Sequence, residues 1–172
     1  MRRILPEPKA LRHDLLCANS ADVKRRRAII GASLVGLGGM AAVTMLQTGL
    51  IKHLPDPPLR GFDSDKINLS DDAYRFGAPD GTLSLASLAI NLPLAAFGGR
   101  DRLRRWPWTA LFAAGKAAFD AVAAAWYFRL MPAKKTWCAY CIIGAASNFT
   151  ILLLSVPEAR RAWALLHKSN KA

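Results

Sequence analysis

Cysteine is scarce in this sequence, since the 172 residues include only three. Three thiols form at most one intramolecular disulfide, and this count excludes a small scaffold held together by several disulfides. Acidic residues are also few: twelve of them stand against twenty-four lysines and arginines, which gives a formal net charge of +12. The sequence has no internal repeat, so it does not predict a repeat architecture.

The basic excess is combined with a hydrophobic content of 52%, which is unusual for a soluble protein. The basic residues form short blocks beside apolar runs, and this distribution is typical of the loops of a membrane protein. We therefore expect membrane lipids around the protein, and we do not expect nucleic acid as a partner.

Four apolar runs divide the chain, at residues 28–51, 83–99, 108–131 and 138–156. The first run is longer than the core of a secretory signal, and no obvious cleavage site follows it, so we expect a retained span. A polar outer loop at 52–82, broken by prolines and glycines, separates the first two runs. The sequence thus predicts an all-α membrane protein, a four-transmembrane-helix bundle with one long outer loop.

The same pattern divides the chain into a basic leader (1–27), a membrane domain (28–157) and a basic tail (158–172) that we expect to be a surface helix beginning after Pro157. Four spans place both termini on one side of the membrane. That side has sixteen basic residues, eight in the leader, four in the turn at 100–105 and four in the tail, against seven on the other side. We therefore expect a multi-pass inner or plasma membrane protein with both termini in the cytoplasm.

Cys138 and Cys141 form a Cys-x-x-Cys pair at the start of the fourth run. Two thiols at this spacing lie on one helix face, and the positive end of the helix favours a reactive thiolate. The alternative is two small residues packed in a membrane helix without any chemistry. The predicted orientation places the pair at the outer face, beside the lipid phase in which quinones dissolve, whereas Cys17 lies on the cytoplasmic side and cannot join it.

Lys116 and Asp120 lie within the third apolar run, four residues apart and so on one helix face. An unpaired charge at mid-membrane costs about 2.5–3.5 kcal/mol on insertion scales, so we expect the two side chains to neutralise one another. Either the ion pair fixes the third helix against its neighbours, or Asp120 passes protons to a bound quinone.

Three further residues are candidates for a quinone site. Asn91 in the second run and Asn148 in the fourth donate hydrogen bonds either to a quinone carbonyl or across helices. Asn148 follows Cys141 by seven residues, close to two helical turns, so both lie on one face. Trp137 is either an interfacial anchor or part of the rim of the pocket.

Aspartates occur in the outer loop at positions 63, 65, 71 and 72, but their spacing does not match the ligand positions of a calcium loop. No metal is therefore expected. Ser70 and the aspartates after it are suited to begin a short helix within the loop.

Taken together, four helices with cytoplasmic ends, a long outer loop and a Cys-x-x-Cys at the outer end of the fourth helix resemble the vitamin K epoxide reductase family. The segment Cys138-Ala-Tyr-Cys141, followed by Asn148, is similar to the family's fourth helix. The resemblance covers roughly residues 28–157. It implies a membrane pair that exchanges electrons with a quinone, and an outer loop whose second cysteine pair shuttles electrons to or from a protein partner.

The sequence departs from the family pattern at two points. The loop at 52–82 contains no cysteine, and Ala145 stands where the family has a quinone-contacting tyrosine. We therefore expect Cys138, nearer the water, to exchange electrons directly with a separate thioredoxin-like or other thiol carrier, while Cys141, deeper, faces the quinone. The alternative function is a non-catalytic membrane subunit that keeps the fold and a quinone or lipid pocket but serves assembly or anchoring.

Overall fold

A computed structural model describes residues 7–169 of the chain. Its frame is four long helices: α2 (Ala21–Gln47), α4 (Asp80–Ala96), α6 (Pro107–Phe128) and α8 (Ala139–Ser169). The shorter elements are α1 (Pro8–Cys17), α3 (Ser64–Asn68), a 3-10 helix (Asp71–Tyr74), α5 (Arg102–Arg105) and α7 (Leu130–Ala133). Within the described residues there is no strand, only one parallel bridge between Phe62 and Trp137. The all-helical fold predicted from the sequence is confirmed.

The helix bounds differ from the predicted runs at two ends. α2 begins at Ala21, inside the predicted leader, because the Ser20 hydroxyl accepts a hydrogen bond from the Val23 N–H at 3.4 Å and caps the helix. α8 runs through Pro157 to Ser169, so the predicted tail is not a separate surface helix. The helix continues because Glu158 and Ala162, at 5% and 0% exposure, pack its last turns into the bundle.

Within residues 7–169, two helices are long and apolar enough to cross a membrane, α2 and α8. α4 has only 17 residues, and α6 carries a lysine and an aspartate. Large apolar side chains are nevertheless exposed on α6 and α8, among them Phe119, Val122 and Leu153 at more than 70% exposure.

α2 lies at the centre of the bundle, where it packs along both α4 and α8, and α8 packs in turn along α6. Gly36 permits this close approach, since a Cβ there would lie 3.0 Å from both Leu88 on α4 and Ser147 on α8. Gly39 lies in the same contact with α8, whereas Gly31 and Gly38 face open space. α4 and α6 touch only lightly, which leaves a gap between them.

Buried charges join the helices at the end of the bundle where α5 connects α4 to α6, called here the inner end. The Arg26 guanidinium donates hydrogen bonds of 3.0–3.2 Å to three backbone carbonyls after α4, those of Phe97, Gly98 and Gly99. Arg102 donates two hydrogen bonds to Glu158, of 3.0 and 2.8 Å. Arg102, which belongs to the basic turn at 100–105, therefore contributes to the packing of helices against one another.

Candidate active site

The Cys-x-x-Cys pair forms a disulfide at the opposite, outer end of the bundle, with 5.3 Å between the two Cα atoms. Cys138 directly precedes α8, and its Sγ accepts a hydrogen bond of 3.0 Å from the Cys141 N–H. The first sulfur thus occupies the position of a helix cap, at the positive end of the helix. This arrangement agrees with the prediction that the pair opens the fourth helix.

The outer segment, residues 48–79 between α2 and α4, covers Cys138. Its backbone pairs with Trp137 on both sides: the Trp137 N–H donates to the Gly61 carbonyl at 2.8 Å, and the Asp63 N–H donates to the Trp137 carbonyl at 3.0 Å. Ser64 accepts a hydrogen bond from the Ala139 N–H at 3.2 Å. Cys138, which we expect to exchange electrons with a carrier from the water side, is consequently 0% exposed and covered by the outer segment.

Asn68, the last residue of α3, contacts both sulfurs of the disulfide. Its Nδ2 donates to Cys138 Sγ at 3.2 Å, and its Oδ1 lies 3.6 Å from Cys141 Sγ. The same Nδ2 donates to the Ser64 carbonyl at 2.7 Å. The side chain is 3% exposed, so these contacts take place away from water.

Gln47, at the end of α2, fixes Asn68 in this place. Its Nε2 donates to the backbone carbonyl of Asn68 at 3.0 Å and to the Asp80 carboxylate at 2.6 Å. Its Oε1 accepts a hydrogen bond from the Gly81 N–H at 3.0 Å. One buried amide therefore ties together the end of α2, the end of α3 and the start of α4.

A cavity of about 630 Å³ lies between α4 and α6 and reaches the disulfide from the side of the outer segment that faces the helices. Cys141 and Asn68 line the cavity, but Cys138 does not. Below Cys141, Gly144 and Ala145 of α8 line the cavity, and their small size widens it there. Of the two cysteines, only the second thus borders this cavity.

Two of the predicted quinone-site residues, Asn148 and Asp120, also line the cavity. The Oδ1 atom of Asn148 is buried and has no hydrogen-bond partner among the described residues. A buried amide oxygen without a donor is costly, so this atom suits a ligand that brings a hydroxyl group.

Asp120 is engaged in a local network that crosses from α6 to α4. Its Oδ2 lies 2.5 Å from Lys116 Nζ, and its Oδ1 accepts a hydrogen bond from Ser87 at 2.8 Å. Lys116 also donates to the Ser87 carbonyl at 2.6 Å. The expected ion pair is thus present, and it bridges two helices that otherwise touch only lightly.

The remaining two candidates lie elsewhere. Asn91 lines a small separate cavity at the inner end, together with Arg26 and Glu158, and its Nδ2 is buried without a partner there. Trp137 is 38% exposed, and its ring packs edge-on against Phe128 with 6.0 Å between centroids. Neither residue lines the cavity beside the disulfide.

An ion pair lies at the wall of the large cavity, where Lys134 before α8 meets Asp72 of the 3-10 helix at 2.9 Å. The hydrogen bond and charge of the Lys134 ammonium hold the pKa of the Asp72 carboxyl below its ordinary value of 3.8. The pair joins the outer segment to the connector before α8.

Sequence reasoning did not find Asn68, Ser64 or Gln47. The first two lie in a stretch predicted as an irregular loop, and Asn68 meets Cys138 across a separation of 70 residues. No local pattern marks such a contact. Among the described residues, no group of three or more histidine, cysteine or acidic side chains is arranged to hold a metal ion.

Comparison with known proteins gives one family. A model of the vitamin K epoxide reductase family matches residues 27–156, well over half of the chain. No curated protein and no solved structure gives a significant match. The matched region begins within α2 and ends within α8, so it includes the disulfide and the cavity. The chain therefore belongs to the vitamin K epoxide reductase family, whose members are integral membrane thiol–disulfide oxidoreductases linked to quinones.

Proposed function

We propose that this protein passes electrons between a quinone in the membrane and a separate thiol carrier, through the Cys138–Cys141 pair. The observation that carries the proposal is a disulfide with one sulfur at the wall of a cavity of about 630 Å³. Pockets for small ligands typically measure about 300–1,000 Å³, so the cavity has a suitable size for a quinone ring.

The quinone ring lies between α4 and α6, below Cys141 and beside Asn148. The small residues Gly144 and Ala145 leave space for the ring against α8. The Asn148 amide hydrogen-bonds the quinone oxygen, and its unpartnered Oδ1 accepts from the hydroxyl of the reduced form. Asp120 already has two partners within the protein, which supports a structural role for the Lys116–Asp120 pair.

The chemistry is thiol–disulfide exchange at one end and quinone reduction or oxidation at the other. A thiolate attacks the quinone or the carrier disulfide, and the second cysteine resolves the covalent intermediate. Cys141 faces the quinone because it is the sulfur that lines the cavity. Cys138 faces the carrier, and the outer segment must first move, since the side chain is 0% exposed beneath it.

All four long helices cross the membrane with both termini in the cytoplasm. The sixteen basic residues on the terminal side and the exposed apolar side chains of α6 and α8 support this topology. Leu59 on the outer segment is 62% exposed and Cys17 is an exposed free thiol. In a Leu59→Cys variant, a membrane-impermeant thiol reagent applied to sealed cells should label position 59 and leave Cys17 unlabelled. The reverse labelling would overturn the orientation.

Turnover by purified protein tests the function itself. The wild type and Cys17→Ser should accelerate the reduction of a short-chain soluble quinone by dithiothreitol. Cys138→Ala and Cys141→Ala should give no acceleration. A protein that binds the quinone but gives no acceleration would instead be the non-catalytic assembly or anchoring subunit, which the absence of cysteine from residues 52–82 favours.

The carrier is identified by trapping. Cys141→Ser should accumulate a mixed disulfide between Cys138 and the carrier, because the resolving thiol is gone, whereas Cys138→Ser should accumulate none. Non-reducing electrophoresis of native membranes followed by mass spectrometry reads the adduct. Adducts in neither variant would contradict direct exchange with a separate carrier.

A further inference from the structure

The exposed face of α6 changes character at the inner end of the bundle. Phe119, Phe112 and Trp108 follow one another at helical spacing toward that end, and they are 74%, 63% and 67% exposed. In the proposed topology this apolar stripe meets the lipid tails. The stripe ends at Trp108, and the residues shortly before it, Arg104 and Arg105, are exposed and basic. The apolar surface therefore gives way to basic side chains at the start of α6.

α8 shows the same change along one of its faces. Leu153 is 72% exposed, and Arg160, which follows it by seven residues or about two turns, is also exposed. Trp163, three residues beyond Arg160, is 56% exposed. Tryptophan is enriched at the membrane–water interface, where its ring meets the lipid and its N–H meets the headgroups. Trp108 and Trp163 therefore mark the membrane boundary on two helices that pack along one another.

A buried ion pair holds the basic ends of these two helices next to each other. Arg102 in α5 donates hydrogen bonds of 3.0 and 2.8 Å to Glu158 in α8. Arg104 and Arg105 come two and three residues after Arg102, and Arg160 comes two residues after Glu158. The contact thus brings three exposed arginines, 104, 105 and 160, to one corner of the bundle, which we call the arginine corner.

None of the three side chains of the arginine corner forms an ion pair within the described residues. The acidic side chains that form ion pairs at the inner end do so with other arginines, in the pairs Asp14–Arg100, Asp22–Arg25, Asp22–Arg161 and Glu158–Arg102. A guanidinium group offers several N–H donors in a geometry that matches phosphate oxygens. Three such groups together at the membrane boundary form a surface that attracts anionic phosphate.

We propose that the arginine corner binds the headgroups of anionic phospholipids, while Trp108 and Trp163 contact the first part of the acyl chains. The ligand is a lipid rather than a free phosphate because the apolar faces of α6 and α8 lead directly to the corner. The acyl chains of a lipid bound there lie along Phe112 and Leu153. A zwitterionic headgroup brings a cation that three unpaired arginines repel, so an anionic headgroup binds more tightly.

Tryptophan quenching by phospholipids with brominated acyl chains tests this site in the full-length protein, because bromine quenches a nearby indole. The protein is reconstituted in phosphatidylcholine vesicles that contain either brominated phosphatidylglycerol or the same fraction of brominated phosphatidylcholine. The difference from a Trp108→Phe, Trp163→Phe double variant isolates the quenching at these two rings. The anionic lipid should bind at least about fivefold more tightly than the zwitterionic lipid, and 1 M salt should weaken this preference. Equal quenching by the two lipids would overturn the proposal.

Neutralising the corner should remove the preference. Arg104→Gln, Arg105→Gln and Arg160→Gln, combined in one protein, should bring the two lipids within about twofold of each other, because each arginine contributes about a fivefold preference. The three side chains are exposed and unpaired, so the combined variant keeps the contacts that hold the bundle together. A preference that persists in this variant would place the anionic lipid elsewhere and overturn the proposal.

The matched control removes the same net charge from the outer segment. Lys52→Gln, Arg60→Gln and Lys66→Gln replace three exposed basic residues that form no ion pair within the described part of the chain. This variant should keep the preference of the wild type. Loss of the preference here as well would show a response to net charge rather than to the arginine corner, and that result too would overturn the proposal.

The inference uses the membrane crossing of α6 and α8, but it does not use the quinone or the carrier. If neither lipid quenches Trp108 and Trp163, α6 and α8 do not meet lipid there, and both the arginine corner and the four-span topology are refuted. A lipid preference without quinone turnover would refute only the proposed function. Turnover without a lipid preference would refute only the arginine corner.

Discussion

At the inner end of the bundle, buried charged side chains pair with each other or with backbone carbonyls, whereas at the outer end the side chain that contacts both sulfurs is a neutral amide. Arg102 and Glu158 pair at 2.8 Å with 3% and 7% of their side chains exposed. Around the cysteines, the amides of Gln47 and Asn68 connect the helix ends by hydrogen bonds, and the two residues are 8% and 3% exposed. Buried ions lock helices together only when fully paired, while neutral amides leave the local charge free to change. Ion pairing and charged hydrogen bonds therefore join the helices at the inner end, whereas neutral amides position the disulfide at the outer end.

Glu158→Ala breaks the inner end and should have the largest effect. It leaves Arg102 buried without a counter-charge, which costs about 3–5 kcal/mol in the free energy of unfolding. Denaturant unfolding in detergent measures the loss. The control is Arg161→Ala, on the same helix as Glu158. It removes an exposed ion-pair partner of Asp22 and should change stability by less than about 1 kcal/mol. Equal effects of the two variants would show that the inner cluster is not a clamp.

Asp120→Asn tests the middle of the bundle, where a partly buried charge still bridges two helices. We expect a loss of about 2 kcal/mol, less than at Glu158, because the amide keeps the hydrogen bond with Ser87. Lys116→Met combined with Asp120→Leu should recover much of the loss. If the double variant folds well but has no turnover, the pair is catalytic and the structural role proposed for it is wrong.

Asn148→Leu and Asn91→Leu test which of the two asparagines binds the quinone. Losing one hydrogen bond to the quinone costs about 1.4 kcal/mol, so KM for a soluble quinone should rise about tenfold. Asn91→Leu, at the inner end, should leave KM unchanged. Steady-state kinetics with both variants provides the measurement, and a rise in KM for Asn91→Leu alone would reverse the assignment.

Lys134→Met should have the smallest effect, and that effect should depend on pH. The pKa of Asp72 is lowered in the folded protein, so the ion pair contributes stability above the unfolded value of about 3.8 and loses it as the pH falls through the lower folded value. The Tm of the variant should therefore lie slightly below that of the wild type at pH 7, and the two should converge once the pH has fallen below the lowered folded pKa of Asp72. A Tm difference that persists at low pH would contradict the role of the pair.

The sequence was sufficient for the helical fold and for the position of the cysteine pair, because apolar runs and a Cys-x-x-Cys at a helix start are local signals. Asn148 follows Cys141 on one helix face, and simple periodicity brings both to the cavity. Asn91 shares the same residue type and a similar apolar setting, but which end of α4 meets the cavity depends on packing between helices. Periodicity does not contain that information.

Two further features of the site lay beyond the sequence for the same reason. The burial of Cys138 follows from backbone pairing between Gly61 and Trp137, far apart in the chain and without any side-chain signature. Likewise, the sequence alone places Arg102 in a basic turn at the surface. Its burial depends on the continuation of α8 past Pro157, which brings Glu158 into contact with Arg102. Long-range hydrogen bonds, rather than local propensity, decide these placements.

The redox state of Cys138 and Cys141 in intact membranes, with and without added quinone, tests the central claim most directly. The pair is first reduced and the reductant removed, in a Cys17→Ser background, and alkylation with a maleimide of high mass then reports the number of free thiols. We predict two free thiols before quinone is added and none afterwards, at a rate that falls in Asn148→Leu. A pair that stays reduced when quinone is supplied would contradict the account.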